Sequence, residues 1–266
     1  MKEEALVVQN ISLHRQGFQL KRINADFPSG RITAIVGPNG SGKSTLLKTM
    51  TRLLDIDSGE ILIHGKSAAS FSPRQLAQCI SMLPQTKDFM PDLTVRELAA
   101  YGRAPYKKLF QQRQTKEDYQ AVEFALEAAG MGKLADRLFY TLSGGEQQRA
   151  RIALTLAQGT DILLLDEPTT YLDIAHQLDI LNMLKRINEQ WGITIVMVLH
   201  DLQQAAAYSH HMIAMKRGVI AAAGSPRDLL TPAFLKEIYE IDAKITVIDG
   251  YPLIIPTAGI HHSGGI

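Results

Sequence analysis

A glycine-rich segment near the start of the chain has the residue types of a phosphate-binding loop. It fits the pattern G-x-x-x-x-G-K-[ST], follows the apolar run 32–36 and precedes a helix-like run. Glycines let the backbone approach phosphate oxygens, a helix N-terminus favours an anion, and lysine adds a positive charge. The serine hydroxyl is placed to ligate Mg²⁺. We therefore assign polyphosphate binding to Gly37, Pro38, Asn39, Gly40, Ser41, Gly42, Lys43, Ser44 and Thr45.

Two carboxylates follow directly after the apolar run 162–165. They are Asp166 and Glu167, and in a parallel sheet the ligand lies at the carboxyl ends of the strands. We expect Asp166 to hold Mg²⁺ directly or through water. Glu167 would then polarise a water molecule for attack on the terminal phosphate. A strand that ends in Asp-Glu is weak evidence alone, but downstream of a phosphate-binding loop it becomes strong.

A second candidate anion site lies before the Asp-Glu strand. The segment from Leu142 to Gln147 reads LSGGEQ and precedes an expected helix over 148–158. The hydroxyl of Ser143 and the amides of Gly144 and Gly145 at a helix start suit an anion. Because the first loop already surrounds one face of a triphosphate, this second site calls for an explanation.

In their order along the chain, these motifs resemble the ATPase subunits of ABC transporters, whose signature is LSGGEQ. The resemblance covers nearly the whole chain and implies ATP and Mg²⁺ as ligands. It implies that Gln85 contacts Mg²⁺ and the attacking water, that Asp173 bridges subunits, and that His200 contacts the terminal phosphate. The residues so assigned are Glu167, His200, Gln85 and Lys43 for catalysis, Ser44, Gln85 and Asp166 for the metal, and Ser143, Gly144, Gly145 and Asp173 for nucleotide, besides the first loop.

The same resemblance implies an assembly. In the family, the signature serine closes on the nucleotide of the other subunit, which would explain the second anion site and predicts a head-to-tail homodimer with ATP sandwiched. Expected partners are membrane permease subunits and, indirectly, an extracytoplasmic substrate-binding protein. The chain would then lie at the cytoplasmic face of the membrane. A net charge of +1 gives no case for nucleic-acid binding.

Local motifs narrow the type of transporter. The runs 93–98, 101–106, 173–177 and 231–242 resemble importers of iron–siderophore complexes, haem and cobalamin, and most of all the ferric hydroxamate (ferrichrome-type) importers. Zinc and manganese importers, and a soluble ABC ATPase without a permease, stay open as alternatives, whereas the signature argues against a P-loop kinase or GTPase. Tyr101, Arg103 and Tyr106 would form a groove for a permease helix or a solvated helix end.

The expected adenine contact departs from the family pattern. The family has an aromatic residue, often tyrosine, some twenty or more residues before the phosphate-binding loop. Here that region offers His14, Arg15 and Phe18. A guanidinium can stack on a base through its planar face, and Phe18 lies slightly late, so the choice among the three stays open.

The strand-like and helix-like segments that would position these residues alternate along the sequence, which predicts an α/β fold. We expect a P-loop NTPase core with a mostly parallel sheet, an N-terminal antiparallel β part and an inserted helical subdomain. The predicted single domain spans 1–255, with a RecA-like core over about 1–85 and 141–255, a helical subdomain over about 86–140, and a loose tail over 256–266. The 266 residues include one cysteine, Cys79, and the apolar runs are too short to span a bilayer, so a reducing, cytosolic location is expected.

Overall fold

The computed structural model of the protein describes residues 4–15, 17–85, 92–107, 114–248 and 250–257. Its strands are β1 (Glu4–Arg15), β2 (Phe18–Pro28), β3 (Ile32–Val36), β4 (Ser58–Ile63), β5 (Lys66–Ser67), β6 (Ile80–Leu83), β7 (Ile162–Asp166), β8 (Thr194–Val198), β9 (His211–Lys216), β10 (Val219–Gly224), β11 (Ala243–Ile248) and β12 (Tyr251–Pro256). Its helices are α1 (Lys43–Met50), α2 (Pro73–Cys79), α3 (Val95–Ala100), α4 (Lys116–Ala128), α5 (Gly144–Ala157), α6 (Ile174–Trp191), α7 (Leu202–Tyr208), α8 (Pro226–Leu229) and α9 (Pro232–Tyr239).

The central sheet has the strand order β10-β9-β3-β8-β7-β6 within the described ranges. All neighbouring strands run parallel except β9 and β10, which form an antiparallel hairpin. Every residue of β3, β7 and β8 is buried, as expected for parallel strands covered on both faces. The parallel order brings the carboxyl ends of β3, β8, β7 and β6 to one edge, where four of the predicted site segments begin.

Two hydrophobic cores cover the opposite faces of this sheet. Successive side chains of a strand point to opposite faces, and β7 shows this directly: Ile162 and Leu164 belong to one core, and Leu163 and Leu165 to the other. The first core contains the N-terminal antiparallel sheet, with the order β2-β1-β4-β5, together with α1. The second core contains the helices α3 to α7. The predicted fold class is confirmed.

Side chains cap the starts of three helices. Ser72, Thr94 and Thr115 are N-caps of α2, α3 and α4, and each forms a capping box with the residue three positions later. α3, α4 and α5 pack against one another. The proposed division into a core and a helical subdomain stays a prediction.

The strands β11 and β12 form a hairpin that was not predicted from the sequence. It packs against α7 and α9, and Gln203 of α7 holds β12 by donating to the Pro252 carbonyl at 2.8 Å and accepting from the Ile254 N–H at 2.6 Å. Most of the proposed loose tail lies outside the described residues. In the described ranges, no helix combines the length and the apolar character needed to cross a membrane.

Candidate nucleotide site

The phosphate-binding loop connects β3 to α1 and adopts backbone angles that require glycine. Gly37 has φ +143°, and a Cβ there would lie 2.0 Å from the Met215 carbonyl oxygen. Gly42 has φ +107°, caps α1, and would bring a Cβ within 2.6 Å of Phe18 Cζ. The glycines therefore let the loop run close to neighbouring residues, and the loop ends at a helix N-terminus, which favours an anion.

Lys43 supplies the positive charge of this loop. Its ammonium donates to the carbonyl oxygens of Gly37 at 2.8 Å and Pro38 at 3.1 Å. Burial lowers the pKa of Lys43, and the nearby carboxylates of Glu167 and Asp166 act in the opposite direction. Ser41 Oγ is buried without a hydrogen-bond partner among the described residues. An ammonium and an unsatisfied hydroxyl in one glycine-rich loop suit a phosphate group.

A second pair of groups suits a divalent cation. Ser44 Oγ donates to Asp166 Oδ1 at 2.7 Å, so the start of α1 meets the end of β7. These two oxygens lie near the roughly 3 Å that separates neighbouring ligands in an octahedron with Mg–O bonds of about 2.1 Å. Burial raises the pKa of Asp166, and the hydrogen bond from Ser44 opposes that effect. A hydroxyl and a carboxylate at this spacing fit Mg²⁺.

The carboxylate of Glu167 is the centre of a polar cluster. His200 Nε2 lies 2.5 Å from Oε1, and Gln85 Nε2 donates to Oε2 at 2.5 Å. Thr170 Oγ1 also donates to Oε2, at 3.0 Å. The structure thus brings together Gln85, Glu167 and His200 from the ends of β6, β7 and β8. Thr170 was not predicted from the sequence, where its only clue is its position three residues after Glu167 in a turn.

The backbone at Glu167 is also unusual. Its φ is +55°, a conformation that costs a non-glycine residue on the order of 1–3 kcal/mol. Such strain persists where the surroundings fix the residue, and here the contacts with Gln85, Thr170 and His200 fix the side chain. The turn aims a carboxylate that is only 11% exposed at the edge of the sheet where Asp166 and Lys43 lie.

The signature segment begins a helix earlier than the sequence indicated. α5 starts at Gly144 rather than near Gln148, and Ser143 is its N-cap. The Ser143 N–H and hydroxyl both donate to Glu146 Oε2, at 2.8 and 2.9 Å. Side-chain capping by the serine and glutamate, which local propensity alone understates, stabilises the extra turn. The Ser143 hydroxyl and the glycine amides therefore lie together at a helix N-terminus, as predicted.

The glycine at position 145 lies against α6. A Cβ on Gly145 would come within 2.3 Å of His176 Cδ2. His176 Nδ1 in turn lies 2.7 Å from Asp173 Oδ2, and Asp173 Oδ1 accepts from the His176 N–H at 2.9 Å. These hydrogen bonds, the backbone one first, lower the pKa of Asp173. Asp173 is therefore an exposed, ionised N-cap of α6 beside the signature helix.

A cleft of about 300 Å³ joins the signature helix to the Glu167 cluster. Its lining includes Gly144, Gln85, Asp166 and Glu167, together with Arg151 and Tyr171. Gln148 of α5 donates to the Pro168 carbonyl at 2.9 Å and closes the gap between α5 and the end of β7. Ser143 and Asp173 do not line this cleft.

Of the three candidates for the adenine contact, two line one cleft and the third does not. Arg15 is held away, since its guanidinium bonds to Asp57 Oδ1 at 3.1 Å and to the Asp55 carbonyl at 2.8 Å. Phe18 and His14 line a cleft of about 420 Å³ that also includes Gly40 of the phosphate-binding loop and Arg217. Phe18 also packs against Gly42.

Arg103 takes neither of the two places considered from the sequence. Its side chain is buried, and Nε donates to Asp118 Oδ1 at 2.9 Å. Its Nη1 donates to the carbonyls of Ala157 and Gln158 at the end of α5, and its guanidinium stacks on Tyr106 with 3.7 Å to the ring centroid. Arg103 is thus an internal link between α4 and α5, and only Tyr101 of this segment presents a largely exposed ring.

Comparison with known proteins identifies the family. The sequence profile of the ABC transporter family matches residues 20–170. The chain belongs to the ABC transporter family. This family member is 48% identical over 223 residues to the iron(3+)-hydroxamate import ATP-binding protein FhuC of Bacillus subtilis, spanning 84% of this chain and 82% of FhuC. The ferric enterobactin transport ATP-binding protein FepC of Escherichia coli is 44% identical, spanning 89% of this chain and 88% of FepC.

Solved structures agree with the ABC fold. An ATP-binding cassette of an ABC transporter in its ADP conformation superposes with a TM-score of 0.79 at 28% identity, covering 89% of this chain and 98% of that one. A dimeric cassette in a post-hydrolysis state, bound to ADP and Pi, gives a TM-score of 0.69 at 28% identity, covering 83% of this chain and 98% of that one. The ABC ATPase architecture predicted from the motifs is therefore confirmed.

Proposed function

We propose that this ABC ATPase hydrolyses ATP to drive import of an iron–siderophore complex, of the ferric hydroxamate class, through a separate membrane permease. The observation that carries the ATPase activity is the cluster around Glu167, held by Gln85, Thr170 and His200 beside the Ser44–Asp166 pair. The observation that favours iron–hydroxamate is the 48% identity with FhuC.

The chemistry follows from the positions of these groups. The loop amides and Lys43 would hold the β- and γ-phosphates, and Ser44, Asp166 and Gln85 would hold Mg²⁺. The cation, when bound, neutralises phosphate charge. Glu167 would accept a hydrogen bond from the attacking water and orient it in line with the bond to be broken, while His200 would contact the terminal phosphate. Most of the rate enhancement would come from positioning and from charge stabilisation.

The assembly is proposed on the same basis. Two copies would bind head to tail, so that Ser143, Gly144 and Gly145 of one copy face the nucleotide in the other, with Asp173 at the contact. A structural relative that was solved as a dimer with ADP and Pi supports the formation of a dimer. The dimer would dock on permease subunits at the cytoplasmic face of the membrane and respond indirectly to an extracytoplasmic binding protein.

The base of ATP would lie in the cleft that contains His14, Phe18 and Gly40. We expect His14→Ala to raise the KM for ATP roughly 3- to 10-fold with kcat nearly unchanged, because it removes a ring that contacts the base equally in ground and transition states. Steady-state kinetics measure this. The matched control is Arg15→Ala, whose side chain binds Asp57. A larger KM effect from Arg15→Ala than from His14→Ala would contradict the assignment.

The import function is tested by uptake of radioactive iron in cells that lack this gene. Cells complemented with the wild type should recover uptake of ferric hydroxamates, and cells complemented with Glu167→Gln should not. Catecholate-iron, haem and cobalamin are run alongside, because relatives at 44% identity are named for ferric enterobactin and petrobactin import. If uptake recovers only with another of these ligands, that ligand is the substrate instead of a ferric hydroxamate. If uptake recovers with none of them, a role in import is contradicted.

A further inference from the structure

Two side-chain amides, those of Gln204 and Gln177, form a hydrogen-bonded amide chain from the first turn of α7 to the loop before α6. Residues of the proposed site lie beside both ends. Gln204 Nε2 donates to Gln177 Oε1 at 2.6 Å, and Gln177 Nε2 donates to the Leu172 carbonyl oxygen at 2.9 Å. Gln204 is buried and Gln177 is half-buried. Because hydrogen bonds shielded from water are stronger and costly to leave unmade, this chain fixes the distance between α7 and the loop before α6.

The two ends of the amide chain lie next to residues of the proposed site. Leu172 directly precedes Asp173. Gln204 lies in the first turn of α7, whose N-cap Asp201 accepts from the Gln203 and Gln204 N–H groups at 2.7 and 3.1 Å. Asp201 directly follows His200, so the same cap that holds Gln204 also fixes the backbone exit of His200.

The amide chain has a direction that depends on the residue types. The amide of Gln177 accepts from Gln204 through its oxygen and donates to the Leu172 carbonyl through its nitrogen. A carboxylate at either position removes one donor with almost no change of volume. The link is therefore sensitive to an isosteric change that leaves packing intact.

We propose that Gln177 and Gln204 are positioning residues that couple the placement of His200 to that of the Leu172–Asp173 segment. The inference depends on the proposed ATPase function. A shift of the segment that carries Asp173 would pass through Gln177 and Gln204 to the start of α7 and so to the histidine on Glu167. The catalytic contacts of His200 would then form together with the placement of Asp173.

The test is steady-state ATP hydrolysis by the full chain. We expect Gln204→Glu and Gln177→Glu each to lower kcat roughly 3- to 10-fold, the effect of one lost hydrogen bond, while the KM for ATP stays within about 2-fold. The phosphate-binding loop, which sets nucleotide affinity, is not touched. The matched control is Gln203→Glu, on the same helix, which loses one donated bond to Pro252 rather than a bond of the amide chain.

A double-mutant cycle separates coupling from general destabilisation. The double variant Gln177→Ala/Gln204→Ala should lower kcat no further than either single variant does. Either single change already breaks the hydrogen-bonded amide chain. Additive losses, an equal loss in Gln203→Glu, or unchanged kcat in both glutamate variants would overturn the proposal. Thermal unfolding checks the fold, and if buried Gln204→Glu unfolds, the half-buried Gln177→Glu decides. A wild-type chain without ATPase activity would instead contradict the proposed function.

Discussion

Replacement of Glu167 by glutamine is expected to lower ATP turnover by roughly 10²- to 10⁴-fold, the usual contribution of a positioned general base. The amide keeps the size of the side chain and can still accept from Gln85 Nε2, which now donates to the carboxylate at 2.5 Å. It loses the negative charge that would draw a proton from the attacking water. The loop around Lys43 is unaffected, so ATP binding should persist and the variant should accumulate as an ATP-bound dimer.

Two measurements check this prediction. Single-turnover hydrolysis with excess protein reports the chemical step, and size-exclusion chromatography with ATP and Mg²⁺ reports dimer formation. Glu189→Gln, the same chemical change at an exposed position of α6, is the matched control and should behave as the wild type. Turnover by Glu167→Gln within about 3-fold of the wild type would remove Glu167 from the catalytic role, because a general base contributes at least about 10²-fold.

Arg103→Met is expected to lower the free energy of unfolding by about 3–5 kcal/mol. It leaves the carboxylate of Asp118 buried without its cation, which is the costly way to break an internal ion pair. It also removes the donors to the Ala157 and Gln158 carbonyls. Urea denaturation measures the change. The control is Arg96→Met, whose half-exposed guanidinium pairs with Glu123 and Asp136 and should cost no more than about 1 kcal/mol.

The Arg103 pair also predicts a dependence on pH. Burial raises the pKa of Asp118, but the hydrogen bonds from Thr115 and Arg103 outweigh it, so the pKa in the folded state lies below the ordinary value. The stability that this carboxylate contributes is therefore complete above about pH 4, the usual pKa of aspartate, and is lost as the pH falls through the lower folded value. The stability difference between wild type and Arg103→Met should narrow below about pH 4. Equal differences at pH 7 and pH 3 would contradict this account.

The phosphate-binding loop and the helix starts can be predicted from local sequence, because their geometry depends on residues that are neighbours along the chain. The glycines of the loop, and a capping serine with a glutamine three positions later as at Ser72 of α2, are all visible in a short window. The burial of β7 followed from its continuous apolar run.

Side-chain partners distant in sequence were not visible in that way. Arg103 finds Asp118 and the end of α5 only once three helices pack together, so its charge alone suggested a surface or groove residue. Arg15 likewise bonds to Asp57, 42 positions away. Both contacts depend on tertiary packing that a short window of sequence does not show.

The helix α5 is fastened at both ends. Arg103 holds its final carbonyls, and at its beginning Gln148 bonds to the Pro168 carbonyl and Gly145 lies against His176. Its 14 residues make a rod about 21 Å long. Over that length, a tilt of about 5° about one end displaces the other by about 2 Å. A tilt of α5 that released the contacts at one end would therefore move Ser143 relative to Arg103 by about the length of a hydrogen bond.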